Sequence, residues 1–157
     1  MAPRLATRAV GTVLVALALT GSASAAGLSR DEAQLLKEMN RVRTQHGLAA
    51  LRTDSALRRA ALAHSAEMLR RGSFSHDDFA LRMRRFGVRG SYVGENLAWG
   101  LGARAAAHAV VSQWLASPGH RANLLRAGFR RVGLGRLVGT FAGYSGAAVV
   151  TADFAGR

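Results

Sequence analysis

Cysteine is absent from the 157-residue chain, and lysine occurs once, as Lys37. The first absence excludes disulfide staples, thiolate metal sites and thiol catalysis, so packing alone must hold the fold. The second makes the positive balance, 22 Lys+Arg against 9 Asp+Glu, almost wholly arginine. These arginines come singly or in short pairs such as Arg58-Arg59, Arg70-Arg71 and Arg84-Arg85. Without a long basic tract or interleaved aromatics, no specific nucleic-acid binding is expected. The charge suits anionic envelope polymers or lipids as partners, although base composition and solubility alone also produce such a surface. A His-Glu-x-x-His helix and a strand-to-helix nucleophile elbow are both missing, which removes two common hydrolase signatures.

The first residues read as a cleavable signal peptide, 1–25. Arg4 and Arg8 supply a positive start, residues 10–20 an apolar run, and Ala23-Ser24-Ala25 a small-residue cleavage site. The apolar run is shorter than the ~20 residues of a membrane span, and no basic stop-transfer patch follows it. A secreted location, extracellular or periplasmic, is therefore expected, with no transmembrane segment after cleavage. Removal of 1–25 would leave 132 residues, enough for one domain with a real core.

Residues 26–34 read as a lead-in and 35–155 as the domain. Ser29 and Glu32 form a capping-box pattern ahead of Leu35, Leu36, Met39 and Val42, with Gly47 closing the helix. Thr53 or Asp54 opens a second helix, with Leu57, Ala60, Ala61, His64 and Met68 on one face and Gly72 as its stop. His64 on that stripe is expected to be a hydrogen-bonded core residue. A short helix is expected over 78–86, a loop or irregular strand over 94–100, a third main helix over 103–116, and a short helix opened by Ser117-Pro118. Past Gly128 the period changes to that of strands, giving a C-terminal hairpin whose turn is the stretch 139–146. Helices followed by a hairpin make an α+β domain.

Three segments carry loop chemistry: Phe74-Ser75-His76, Gly94-Glu95-Asn96 and Ser117-Pro118-Gly119-His120-Arg121-Ala122-Asn123. Loops at helix ends are where a rigid scaffold presents functional groups. Together with Asn40-Arg41-Val42-Arg43, Trp114 and Val132-Gly133-Leu134-Gly135, in this order, they resemble the CAP superfamily. The likeness is to its cysteine-free bacterial branch, the SCP-like extracellular proteins. The resemblance implies an α-β-α sandwich with a small antiparallel sheet between helical layers. It also implies a cleft containing His76, Glu95 and His120. The family's eukaryotic branch has a second glutamate where this chain has Ser117. The C-terminal strand, Val149-Val150-Thr151-Ala152-Asp153-Phe154, lacks the family's usual Trp and Gln, from which a less polar cleft floor is expected.

Two imidazoles and a carboxylate can hold zinc and leave a position for water. If Glu95 is a ligand, no second carboxylate is evident as a base; if Glu95 is the base, only His76 and His120 remain as metal ligands. No cofactor is required, and a divalent cation such as zinc is the one these residues could take. Equally, the three side chains could form a network that only holds the loops together. Asn96 and Asn123 read as loop braces, and Asn40 and Arg43 as braces of the first helix. The expected function is a non-enzymatic extracellular binding domain for a divalent metal or a small or lipid ligand. The alternative is a metal-assisted extracellular hydrolase or protease, with Glu95 as its catalytic residue. A third reading makes the Arg-rich stretch from Arg82 to Arg89 a protein-binding face.

Overall fold

The computed structural model describes residues 27–157; the segment read as a signal peptide, 1–25, lies outside the described residues. Helix α1, Arg30–Gln45, starts at the expected capping box. The Ser29 hydroxyl accepts from the Glu32 amide at 3.2 Å, and Glu32 Oε2 accepts from the Ser29 amide at 2.8 Å. Glu32 is itself buried and also meets Arg58 at 3.1 Å, which ties the first turn of α1 to α2. Ser29→Ala should cost about 1 kcal/mol, read as a lower urea midpoint at unchanged m-value.

The chain continues through β1 (Arg52–Thr53), α2 (Ser55–Arg71) and α3 (Phe79–Arg85) to β2 (Val93–Gly100). A 3-10 turn at Gly102–Ala105 precedes α4 (Ala107–Ala116) and α5 (Pro118–Leu124). Strands β3 (Arg131–Phe141) and β4 (Tyr144–Ala155) finish the fold. Asp54, not Thr53, caps α2, accepting from the amides of Ala56 and Leu57. Gly72 ends it in the left-handed conformation, φ +63°, which glycine adopts without a Cβ penalty. Two expectations are revised. Residues 93–100 form a regular strand, because β4 pairs with them from Val93↔Ala155 to Gly100↔Ala148. The helix expected over 103–116 is broken at Ala106, whose extended backbone separates the 3-10 turn from α4.

The sheet order is β1-β3-β4-β2, antiparallel except for the two-residue parallel pairing of β1 with β3. Alternation along the strands divides the core into two faces. Val132, Leu134, Val150, Ala152, Phe154 and Ala98 pack with Leu35, Met39, Val110 and Trp114 of α1 and α4. On the opposite face α2 lies directly on β3. A Cβ built at Gly133 would fall 2.0 Å from the Leu57 carbonyl carbon, and one at Gly135 2.4 Å from that of Ala61. The result is the α-β-α sandwich expected from the sequence.

Arg43 is fully buried and has no carboxylate partner among the described residues. Instead its guanidinium donates to four backbone carbonyls: Ala49 at 3.0 Å, Leu124 at 2.8 Å, Arg126 at 3.2 Å and Phe129 at 3.0 Å. Asn40 exchanges two hydrogen bonds with the Leu51 backbone, at 3.1 and 2.7 Å. Both side chains therefore tie α1 to the connections after it and before β3, and neither lies on the cleft.

Candidate functional site

Strand β2 is an edge of the sheet, and the cleft straddles that edge. Glu95 shares its face with Val93 and Leu97, toward α2 and α3, because strand residues two apart point the same way. His76 comes from the α2–α3 connection and His120 from α5, on the other side of the edge strand. Together with Phe79, Gly94, Ser117, Gly119 and Asn123 they line an opening of about 390 Å³. Gly94 is required where the layers meet: a Cβ there would sit 2.8 Å from the Phe129 ring and 3.0 Å from Asn123 Oδ1. The structure thus brings His76, Glu95 and His120 to one cleft.

Glu95 is buried and anchored from several sides. His76 Nδ1 lies 2.7 Å from Oε1, and Arg82 of α3 bonds to Oε2. His64 Nε2, 3.7 Å from Oε2, donates to the Ser75 carbonyl at 2.9 Å. Burial pushes the His64 imidazole toward neutrality, against the opposing pull of Glu95. Burial also lowers His120, with the neighbouring charge of His76 adding to the effect. At neutral pH both rings therefore favour the uncharged form that metal ligation requires.

The two asparagines join the layers. Asn96 Nδ2 donates to the His120 carbonyl at 2.9 Å. Asn123 Nδ2 reaches both the Glu95 carbonyl, at 3.0 Å, and Asn96 Oδ1, at 3.1 Å. The segment carrying His120 is thereby held against the strand carrying Glu95.

Sequence reasoning missed Arg82 and Asp153 as members of this cluster. Asp153 stands opposite Glu95 in the β2–β4 register, so their side chains are neighbours on one face. It is completely buried, neither of its oxygens has a hydrogen-bond partner among the described residues, and the closest approach of Arg82 is 3.9 Å. Burial first, and then the Glu95 charge, hold its carboxyl well above the usual carboxylate range, against the opposing Arg82. Protonation removes the repulsion that two adjacent buried carboxylates would have. The strand that lacks the Trp and Gln thus supplies a buried acid behind Glu95, not at the cleft surface. Within the Arg82 to Arg89 stretch, the Arg82 side chain is engaged by this cluster while Arg84, Arg85 and Arg89 are exposed. One signal was legible in the sequence: strand alternation from Thr151 inward makes Asp153 an acid at a core position, which only a partner explains.

Among the described residues no three His, Asp or Glu side chains are arranged to hold a metal ion. The two Glu95 oxygens are engaged by His76 and Arg82. Nε2 of His76 and the ring of His120 have no hydrogen-bond partners among the described residues.

Residues 36–154 match the family model described as "Cysteine-rich secretory protein family", CAP. The chain is 30% identical over 121 residues to the protein YkwD of Bacillus subtilis, covering 74% of this chain and 46% of that one. It is 34% identical over 109 residues to the B. subtilis membrane protein YlbC, covering 66% of this chain and 31% of that one. It thus spans less than half the length of these relatives. An extracellular SCP-domain protein of Bacillus anthracis superposes with a TM-score of 0.67 at 27% identity, covering 84% of this chain and 45% of that one. An outer surface protein of Borrelia burgdorferi shares the fold with a TM-score of 0.71 at 21% identity, over 84% of this chain and 96% of that one. With the sandwich, the His76–Glu95–His120 cleft and a family match over most of its length, the chain belongs to the cysteine-rich secretory protein (CAP) family.

Proposed function

We propose that this protein works outside the cytoplasm as a non-enzymatic binding domain whose cleft takes a divalent cation, such as zinc, weakly through His76 and His120. The observation that carries this reading is the 2.7 Å contact between His76 Nδ1 and Glu95. A carboxylate accepting the Nδ1 proton fixes the tautomer, aims the ring and leaves Nε2 with its lone pair. Arg82 holds that carboxylate in place from behind. Glu95 is then an orienting group and not a ligand, so two protein ligands remain and water completes the coordination. A bound cation would supply Lewis acidity and a site for an oxygen donor from a small ligand. The hydrolase reading is not favoured, because Glu95 is fastened to a guanidinium and is poorly placed to move protons. The extracellular setting is supported by the likeness to the extracellular B. anthracis protein.

Zinc titration followed by calorimetry and by histidine ring NMR tests this. Wild type should bind one equivalent, with the His76 and His120 ring signals moving together. His76→Ala and His120→Ala should each weaken binding at least tenfold, about 1.4 kcal/mol. Glu95→Gln should weaken it less, about tenfold or below, as expected for an orienting partner. Equal affinity in wild type and both histidine variants would overturn the assignment.

A further inference from the structure

A second concave site lies on the opposite edge of the sheet and shares no residue with the cleft. Arg52 of β1, Arg130, Arg131 of β3 and Arg157 converge with Ala49 and Ala50 around an opening of about 410 Å³. That is within the range of small-molecule sites, roughly 300–1,000 Å³. Arg52 and Arg131 are direct partners in the β1–β3 register, so two like charges stand side by side on adjacent strands. Such a pairing is destabilising unless something neutralises it. Among the described residues the carboxylate paired with this group is Asp54, at 2.7 Å from Arg131 Nη1, and Asp54 is shared with the amides that it caps at the start of α2.

The guanidinium groups are not equally free. Arg131 is fastened by Asp54 and by the carbonyls of Arg89 and Gly156. Arg130 Nη1 donates to the carbonyls of Ala127 and Phe129, leaving its Nε and Nη2. Arg52 is exposed and has no ion pair among the described residues. Fixed and free forks together make a preorganised cradle, and a guanidinium fork matches the spacing of phosphate oxygens. The exposed methyl groups of Ala49 and Ala50 form a small apolar floor beside it. A bare phosphate leaves much of this volume empty, whereas the carbon chain of a short polyol can lie on that floor.

We propose that the pocket of Arg52, Arg130, Arg131 and Arg157 is a binding site for a phosphate ester of a small polyol, with Arg52 and Arg130 supplying the free donors. The site is independent of the cleft and stands whether or not the cleft takes a metal.

The test is an amide NMR titration of the purified protein with glycerol 2-phosphate at about 0.15 M salt, where exposed, distant charges are screened. Signals of Ala49, Ala50, Arg52 and Arg130 should shift together and saturate. Inorganic phosphate should bind at the same residues but more weakly, and acetate should leave them unmoved. Arg52→Glu, an exposed change whose spectrum should otherwise match wild type, should weaken binding at least tenfold. Arg130→Ala should do likewise, and the distant exposed Arg104→Ala should have no effect. Flotation with phosphatidylcholine vesicles, with and without phosphatidylglycerol, identifies the source. Arg52-dependent recruitment by the anionic vesicles assigns a lipid headgroup, and its absence with glycerol 2-phosphate still bound assigns a soluble or polymeric ester. Unsaturable shifts, shifts outside the pocket, equal response to acetate, or wild-type affinity in Arg52→Glu would each overturn the proposal.

Discussion

Gly133→Ala is expected to destabilise the fold severely. The added methyl carbon would lie 2.0 Å from the Leu57 carbonyl carbon and 2.1 Å from the Arg58 amide nitrogen. Both are backbone atoms inside α2, so no side chain can rotate away. The helix must lift from β3, and in doing so it separates Leu57, Ala60 and Ala61 from the sheet. Overpacking a core usually costs about 1–3 kcal/mol, but that figure assumes side-chain relaxation. Here the loss should reach at least about 3 kcal/mol, a large share of the ~5–15 kcal/mol holding a typical domain. Urea denaturation and the dispersion of the amide spectrum measure it. A variant with wild-type midpoint would show that α2 and β3 are not in backbone contact. Gly139→Ala provides the comparison. Its Cβ would meet only the end of the Leu69 side chain, at 3.2 Å, and should be tolerated far better.

The second large effect is expected from Arg82→Gln. Arg82 bonds to Glu95, approaches Asp153 at 3.9 Å, and donates to the His76 carbonyl at 3.3 Å. It is the one cation facing both buried acids from α3; His64 faces Glu95 from α2, and burial favours its neutral form. Removing one partner from a buried charge cluster costs about 3–5 kcal/mol, because the remaining charges stay desolvated. Equilibrium unfolding at pH 7 should report a loss of that order. A loss below about 1 kcal/mol would mean that the cluster is solvated in the native state.

Asp153 sets the pH dependence of the same cluster. Its folded-state carboxyl titrates well above the ordinary range, chiefly through burial. Once pH passes about 4, an unfolded Asp releases its proton while the folded one keeps it. The stability contributed by that protonation is complete below the unfolded value and is lost as pH rises through the folded value. Asp153→Asn cannot ionise and retains a donor toward Glu95. It should therefore be at least as stable as wild type at pH 7–8, with a flatter profile on the alkaline side of pH 4. In the Arg82→Gln background it should recover part of the loss. If Asp153→Asn instead lowers stability at pH 8, the carboxyl is ionised there and paired with Arg82.

The helix signals were legible because each depends on a few neighbouring residues. Ser29 with Glu32 started α1, Asp54 started α2, and Gly72 ended it, all through bonds made within one turn. The three loop motifs and their order also pointed to the family, and from it to a cleft holding His76, Glu95 and His120. The strand character of 93–100 was not legible, since Gly94, Gly100 and the short apolar run between them need the pairing supplied by β4. Nor did spacing reveal β1, whose two residues are strand only because Arg131 and Val132 lie beside them.

By itself, therefore, the sequence determined the capped starts of α1 and α2, the C-terminal hairpin and the cysteine-free α+β domain, and through the family resemblance it pointed to three of the cleft side chains. The tertiary structure alone decided what Glu95 is free to do. Arg82 and Asp153 are 13 and 58 residues away in the chain, and no local pattern links them to it. They meet because α3 folds back over the sheet and β4 runs antiparallel to β2 in a register that sets Asp153 opposite Glu95. Charge neutralisation in a buried site depends on distance in space, and that distance exists only once the layers have packed.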